Sequence, residues 1–364
     1  MRHDSVVQSL VRLIVIVWLS GSAVLPAQAA FSSLYAFGDG ACTTTDGPGD
    51  QNYYLSTYCN GRVWLQVLAQ RQGLAYDANK NLSYFDHTSA DMLDPSYAEL
   101  SGFSATDANT SLFVVWINDA DLVDYMLVTF PAYGLDPTRW NSMVSSSLTN
   151  HQTVIQTLYS KGARTLIMPS AVDISKIPQY NGLSASQKTF IRQGVIAYNN
   201  SFSAILNQAR ASLPGLKIYM PDMFALLDNM VANPSGYGLI NVTSDAIADR
   251  HTSPLDGTGA YYLFWDPWNP SAKALEVMAD TIQQIISPVT IRSLASLNGS
   301  NRLDLANIPI GLNGFVDDRT NVVSGSWTSA TNFNSTSATQ TVFVRASGPR
   351  QSYRLRFPFA WSWP

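Results

Sequence analysis

One segment constrains the fold more than any other. Ser111-Leu112-Phe113-Val114-Val115-Trp116-Ile117 is an unbroken apolar run with none of the polar alternation of a half-exposed strand. It predicts a parallel strand buried on both faces, and such a strand needs covering layers. The rest of the chain supplies them. Leu34 to Phe37 is a short apolar strand ending in Gly-Asp-Gly, and Val63 to Gln70 has helical spacing with Gly73 as a stop. Trp140 to Lys161 reads as a helix broken by Gly162, and Arg164 to Pro169 as the next strand. Ser184 caps a long helix to Leu213. Pro214-Gly215 then turns the chain into the strand Lys217 to Met220, and Pro270 to Ile286 is the last helix. Strands alternating with helices predict an α/β domain with a mostly parallel sheet covered on both faces.

After Pro288 the texture changes. Thr341-Val342-Phe343-Val344 and Tyr353-Arg354-Leu355-Arg356-Phe357 alternate apolar with polar residues, between stretches of Asn, Ser and Gly. That is all-β patterning. The expected division is an α/β domain over residues 30–288 and a small β-rich module over 289–364. With 364 residues, 46% of them hydrophobic, the chain can fill a core of that size. Only 13% of residues are charged and the net charge is −4, so no basic patch favours nucleic acid or an anionic membrane as partner.

Residues 1–29 read as a secretory signal. Arg2 and Arg12 supply positive charge, Leu13 to Leu25 is an apolar stretch, and Ala27-Gln28-Ala29 is an Ala-x-Ala cleavage site. The mature chain would start at Ala30 and be secreted, periplasmic or extracellular. A membrane anchor is the competing reading, but Ser20, Gly21 and Ser22 interrupt the apolar stretch. No later segment is long or apolar enough to span a bilayer. Cys42 and Cys59 are the only cysteines. In an oxidising compartment they are expected to form one disulfide; two unpaired small hydrophobes, or a nucleophilic Cys42, are the alternatives.

Two stretches frame the α/β region, Tyr35-Ala36-Phe37-Gly38-Asp39-Gly40 and Phe264-Trp265-Asp266-Pro267-Trp268-Asn269-Pro270. They resemble the first and last sequence blocks of the GDSL, or SGNH, esterases and lipases. Cys59-Asn60-Gly61-Arg62-Val63-Trp64 is similar to the family's Ser-Asn-Gly-Arg-x-Trp stretch. Tyr237-Gly238-Leu239-Ile240-Asn241-Val242-Thr243 is similar to its Tyr-Gly-Phe-x-Asn-Val-Thr segment. The resemblance covers residues 31 to 287. It implies a three-layer, flavodoxin-like α/β fold and descent from carboxylic-ester hydrolases that need no cofactor or metal.

In that family the first block carries a nucleophilic serine, and the last carries a histidine base oriented by an aspartate. Here the serine position is Gly40 and the histidine position is Asn269, while Asp266 keeps the place of the triad acid. Gly40 can still offer a backbone N–H to an oxyanion hole. The second-block glycine would be the next donor, but Phe85 and Asp86 stand in the two glycine places of Asn81-Leu82-Ser83-Tyr84-Phe85-Asp86-His87-Thr88-Ser89. Trp116-Ile117-Asn118-Asp119 is similar to the family's Gly-x-Asn-Asp, which makes Asn118 the side-chain donor. An alternative register brings Asp119 or Asp121 nearer the site. Asp39 is expected to brace the nucleophile turn.

Replacement chemistry would draw on His87 or His251, the histidines in polar, loop-like stretches, and on the hydroxyls of Thr43, Thr44 or Thr45. Solvated loop histidines and threonines capping a helix are the simpler readings. Asp119, Asp121 and Asp124 could suggest a metal, but no His or Cys set accompanies them, and a solvated helix start accounts for them. The expected function is a secreted hydrolase-family protein with impaired catalysis. It keeps a cleft for a small-molecule ester or acylated glycan, lined by some of Tyr35, Phe85, Trp116, Trp265 and Trp268. An active esterase with a relocated nucleophile and base is one alternative; a structural or glycan-binding extracellular module is the other.

Overall fold

A computed structural model describes residues 31–252, 254–320, 325–348 and 351–357. The expected signal segment lies outside the described residues. The strands β1 (Leu34–Gly38), β2 (Leu112–Trp116), β3 (Thr165–Ile167) and β4 (Lys217–Tyr219) form one parallel sheet in that order. A second, two-stranded parallel pair joins β5 (Asn241–Asp245) to β6 (Tyr262–Phe264). The helices are α1 (Trp64–Gln72), α2 (Ser89–Leu93), α3 (Asn118–Asp124), α4 (Phe130–Tyr133), α5 (Pro137–Ser160), α6 (Ala185–Ser212), α7 (Met223–Ala232) and α8 (Ala272–Ile286).

The two-residue period of a strand divides the apolar residues of β1 and β2 between two cores. Tyr35, Phe37, Phe113 and Val115 face one core, which α5 and α6 cover with Trp140, Ile155, Val195 and Phe202. Leu34, Ala36, Leu112, Val114 and Trp116 face the other, covered by Trp64, Leu65 and Leu68 of α1 and by Leu275, Met278 and Ile282 of α8. This is the three-layer α/β arrangement expected from the unbroken apolar run, with every residue of β1 and β2 buried.

The helix ends follow local chemistry. Ser184 Oγ accepts from the Gln187 N–H at 3.3 Å while Gln187 Oε1 accepts from the Ser184 N–H at 2.8 Å, a reciprocal cap that starts α6. Gly73, at φ 71°, ends α1 in the left-handed region. The last helix begins at Ala272, two residues later than its apolar pattern suggests. Pro270 is held in a bridge to Phe264, and Ser271 is the cap, its Oγ accepting from the Ala274 N–H.

Beyond α8 the described residues form β-strands and their connections. The strands β7 (Thr290–Leu297), β8 (Ser300–Ala306) and β11 (Thr339–Arg345) make one antiparallel sheet; β9 (Asn313–Arg319), β10 (Thr328–Asn334) and β12 (Ser352–Arg356) make another. Leu303, Leu305, Val316, Val342 and Val344 fill the space between them. Among the described residues no helix is long and apolar enough to cross a membrane.

Candidate functional site

The first block forms a tight turn at the carboxyl end of β1. The Asp39 carbonyl accepts from the Cys42 N–H at 2.9 Å and the Thr43 N–H at 3.1 Å, and Asp39 Oδ1 accepts from the Ala41 N–H at 3.2 Å. The turn needs a bare α-carbon at Gly38. A Cβ there would lie 2.7 Å from Cys42 Sγ and 2.9 Å from the Trp116 carbonyl. Burial lifts the Asp39 carboxyl to about 6.

The last block lies directly over this turn. Asp266, buried like Asn269, accepts from the Asn269 backbone N–H at 2.6 Å and from Asn269 Nδ2 at 3.1 and 3.0 Å through its two oxygens. Tyr53 Oη donates to the same carboxylate at 3.1 Å. Because a carboxylate only accepts, the Asn269 NH2 must face Asp266, and the amide oxygen points the other way. It points at residue 40: a Cβ on Gly40 would lie 3.0 Å from Asn269 Oδ1. The acid–base–nucleophile line implied by the resemblance therefore survives as geometry, with an amide in the base position and no hydroxyl at its end. Burial pushes the Asp266 carboxyl up, against the pull of its hydrogen bonds.

The second block closes over the same spot. The same Cβ on Gly40 would lie 2.7 Å from Phe85 Cδ2, so the Phe85 ring fills space that a side chain at residue 40 would need. Tyr58 stacks on that ring at 4.4 Å. The Phe85 N–H donates to Asp46 Oδ2 at 2.8 Å, which removes it as a donor to a ligand. Asp86 has φ 65°, the left-handed conformation that glycine adopts without cost. The backbone shape expected of a glycine is kept there by an aspartate, one of the few other residues that tolerate it.

The third block departs from expectation. Asn118 Nδ2 donates to the Pro169 carbonyl at 3.0 Å, and Asn118 is absent from the walls of the cavity described below. It is thus not placed as the oxyanion donor that the resemblance implies: one amide hydrogen is used on Pro169 and the residue does not line the cavity. The next residue takes its place: Asp119 lines the cavity, with Oδ1 accepting from the Val172 N–H at 2.9 Å. Burial, then the nearby Asp39 carboxylate, holds the Asp119 carboxyl well above its ordinary range. The solvated-helix-start reading is also corrected. Asp121 is buried, accepting from the Ser89 N–H at 2.7 Å and from Ser147 Oγ, and of the three only Asp124 is exposed. Among the described residues no group of His, Cys, Asp and Glu is arranged to hold a metal.

The expected disulfide is absent. Cys42 and Cys59 are free, buried thiols: Cys42 packs beneath Gly38, and Cys59 Sγ donates to the Gly61 carbonyl at 3.0 Å. Burial raises both thiols, Cys59 to about 11, so Cys42 is no thiolate nucleophile. Neither His87 nor Thr43 lines the cavity. His87 is no free loop histidine, because Nδ1 pairs with Glu99; Thr43 is fully buried.

The cavity has a volume of about 340 Å³ and meets the turn at Asp39 and Gly40. Phe85, Trp116 and Trp268 line it, whereas Tyr35 and Trp265 belong to the two cores. Its floor comes largely from residues the sequence reading did not single out. Val172, Ile174 and Ile177 follow β3, and Met223, Leu226, Leu227 and Met230 come from α7. The α7 residues stand at i, i+3, i+4 and i+7, a stripe visible in the sequence although α7 itself was not anticipated.

No family model matches the chain. Curated relatives do. One GDSL esterase/lipase of Arabidopsis thaliana is 28% identical over 156 residues, 42% of this chain and 42% of the relative. A second from the same plant is 25% identical over 313 residues, 70% of this chain and 88% of the relative. A third is 25% identical, and there the match spans 49% of this chain and 53% of the relative. The chain thus spans about half the length or less of two of these three relatives. Among solved structures, an acetylxylan esterase from Geobacillus stearothermophilus has a TM-score of 0.42 at 10% identity, over 71% of this chain and 96% of that one. A lipase from a goat rumen metagenome has a TM-score of 0.41 at 11% identity, over 70% and 97%. The chain is a homologue of the GDSL esterases and lipases, and its fold is the GDSL/SGNH hydrolase fold.

Proposed function

We propose that this chain is an exported GDSL/SGNH-fold protein that binds an apolar small molecule, such as an ester or an acyl-bearing glycan, and no longer hydrolyses esters through a serine–histidine pair. The observation that carries this reading is the Asn269 amide fixed between Asp266 and Gly40, its NH2 on the acid and its oxygen facing a residue with no side chain. An amide takes up no proton near neutral pH, and glycine has no atom with which to attack a carbonyl. In a serine hydrolase, loss of nucleophile or base alone costs roughly a millionfold in turnover. The committed Phe85 N–H and the turned-away Asn118 weaken the oxyanion hole as well.

A binding role is supported by the cavity. Its volume of about 340 Å³ and its mainly apolar lining suit an alkyl, acyl or aryl group. Export rests on the leader-like composition of residues 1–29. The test is hydrolysis of short-chain nitrophenyl esters by the purified protein, beside His87→Ala and Thr43→Ala variants and a heat-denatured control. No turnover above the control is expected. Turnover that disappears in either variant would overturn the proposal in favour of a relocated catalytic pair.

A further inference from the structure

The polar end of the cavity is rich in acceptors, although Gly40 and Trp116, whose Nε1 is an unpartnered donor, also line it. Asn269, 6% exposed, turns its amide oxygen toward Gly40, and that oxygen takes no hydrogen bond from any described residue. Asp39, Asp86 and Asp119 line the same cavity, and no Lys, Arg or His does so among the described residues. Of the donors that the resemblance implies for an oxyanion, the Phe85 N–H is spent on Asp46, and Asn118, bonded to Pro169, does not line the cavity. Around these acceptors stand the rings of Phe85, Trp116, Phe264 and Trp268.

From this arrangement we infer that the cavity takes a ligand with an ammonium head and an apolar body. The head would lie at the Asp39–Asp119–Asn269 end and the body against Val172, Ile177, Met223 and Met230. The inference rests on the binding role proposed above and names its ligand class. An ammonium group brings N–H donors to a site that presents acceptors, and aromatic faces attract cations. A carboxylate, the acid product of an ester hydrolase, would bring a second negative charge to a poorly hydrated, acid-lined end. Burial lifts the Asp39 carboxyl to about 6, and burial, then the nearby Asp39 carboxylate, lifts that of Asp119; no cationic side chain among the described residues lines the cavity to offset either.

The test compares octylamine, octanol and octanoate, which share one apolar body, by calorimetric titration of the full-length protein at pH 7.5. Octylamine is expected to bind roughly tenfold or more tighter than octanoate, with octanol between them. In Asp119→Asn, whose amide oxygen can still accept from the Val172 N–H, the octylamine affinity is expected to fall to that of octanol. Octanoate binding as tightly as octylamine would overturn the inference. So would an amine preference that Asp119→Asn leaves unchanged, or no binding by any of the three. The order of affinities in the unaltered protein decides the matter even if the variant does not fold. Ester turnover in the nitrophenyl assay would overturn the proposed function, whereas octanol binding without an amine preference would overturn only the head-group assignment.

Discussion

Gly40 and Phe85 are a steric pair. The ring of Phe85 stands 2.7 Å from where a Cβ on residue 40 would be, so each residue has the size the other permits. The room at the position where the resemblance implies a serine is thus set by a residue 45 places further along the chain, and enlarging residue 40 without changing Phe85 meets resistance.

Gly40→Ser should therefore destabilise the protein by about 1–3 kcal/mol, the usual cost of forcing an extra group into a packed site. Phe85→Ala in the same chain should return most of that loss. Urea denaturation of the two single variants and the double variant measures the coupling. Additive effects would show that the ring moves aside freely.

The same geometry limits any recovery of catalysis. Gly40→Ser with Asn269→His supplies nucleophile and base in line with Asp266, yet the ring and the committed Phe85 N–H remain. Nitrophenyl ester turnover should stay near background in this pair and rise only when Phe85→Gly and Asp86→Gly are added. Asp86 already holds a glycine-like φ of 65°, so the last change should not distort the backbone. Strong turnover in the two-site variant alone would place the oxyanion donors elsewhere.

Asp39 gives a pH dependence of known sign. Its carboxyl titrates at about 6 when folded, against an ordinary value of 3.8. Below 3.8 both states hold the proton and there is no penalty. Between 3.8 and 6 the unfolded chain ionises first and stability falls; above 6 the loss is complete. Asp39→Asn should remove on the order of 2 kcal/mol of the decline between pH 4 and pH 7. Its side-chain oxygen can still accept from the Ala41 N–H. Parallel decline in wild type and variant would show that Asp39 is hydrated in the folded state.

Much of the frame was legible because strands and caps announce themselves locally. The apolar run ending at Ile117 read as a two-face-buried strand, and Ser184 read as a helix cap. The positions of Gly40, Phe85, Asp266 and Asn269 followed from the order of short blocks along the chain. What stayed hidden depends on direction and on distant neighbours. Asn118 and Asp119 are adjacent, and only the packing of α3 decides that Asp119 faces the cavity while Asn118 bonds to Pro169. Met223 and Met230 line the cavity, yet in sequence they cannot be told from core residues. The spacing of Cys42 and Cys59 likewise says nothing of Gly38, whose missing side chain makes room for the Cys42 thiol.

Arg71 carries a buried charge balance that joins the two parts of the chain. Its Nη2 lies 2.7 Å from Glu276 and its Nε 2.6 Å from Asp280, and all three side chains are almost fully buried. Nη1 donates to the Ile310 carbonyl at 3.2 Å, in the loop between β8 and β9. Arg71→Met would leave two buried carboxylates facing each other, and Asp280 Oδ2 already has no partner. The expected loss at pH 7 is about 3–5 kcal/mol, the cost of stripping one member from a buried ion group. Burial already pushes both carboxyls up, and without the arginine they would rise further and take up protons when folded. The deficit of the variant should therefore shrink as the pH is lowered toward 4, where the unfolded chain is also partly protonated. Denaturation at both pH values measures this. A deficit that is small at pH 7, or that does not change with pH, would mean water reaches the carboxylates once the guanidinium is gone.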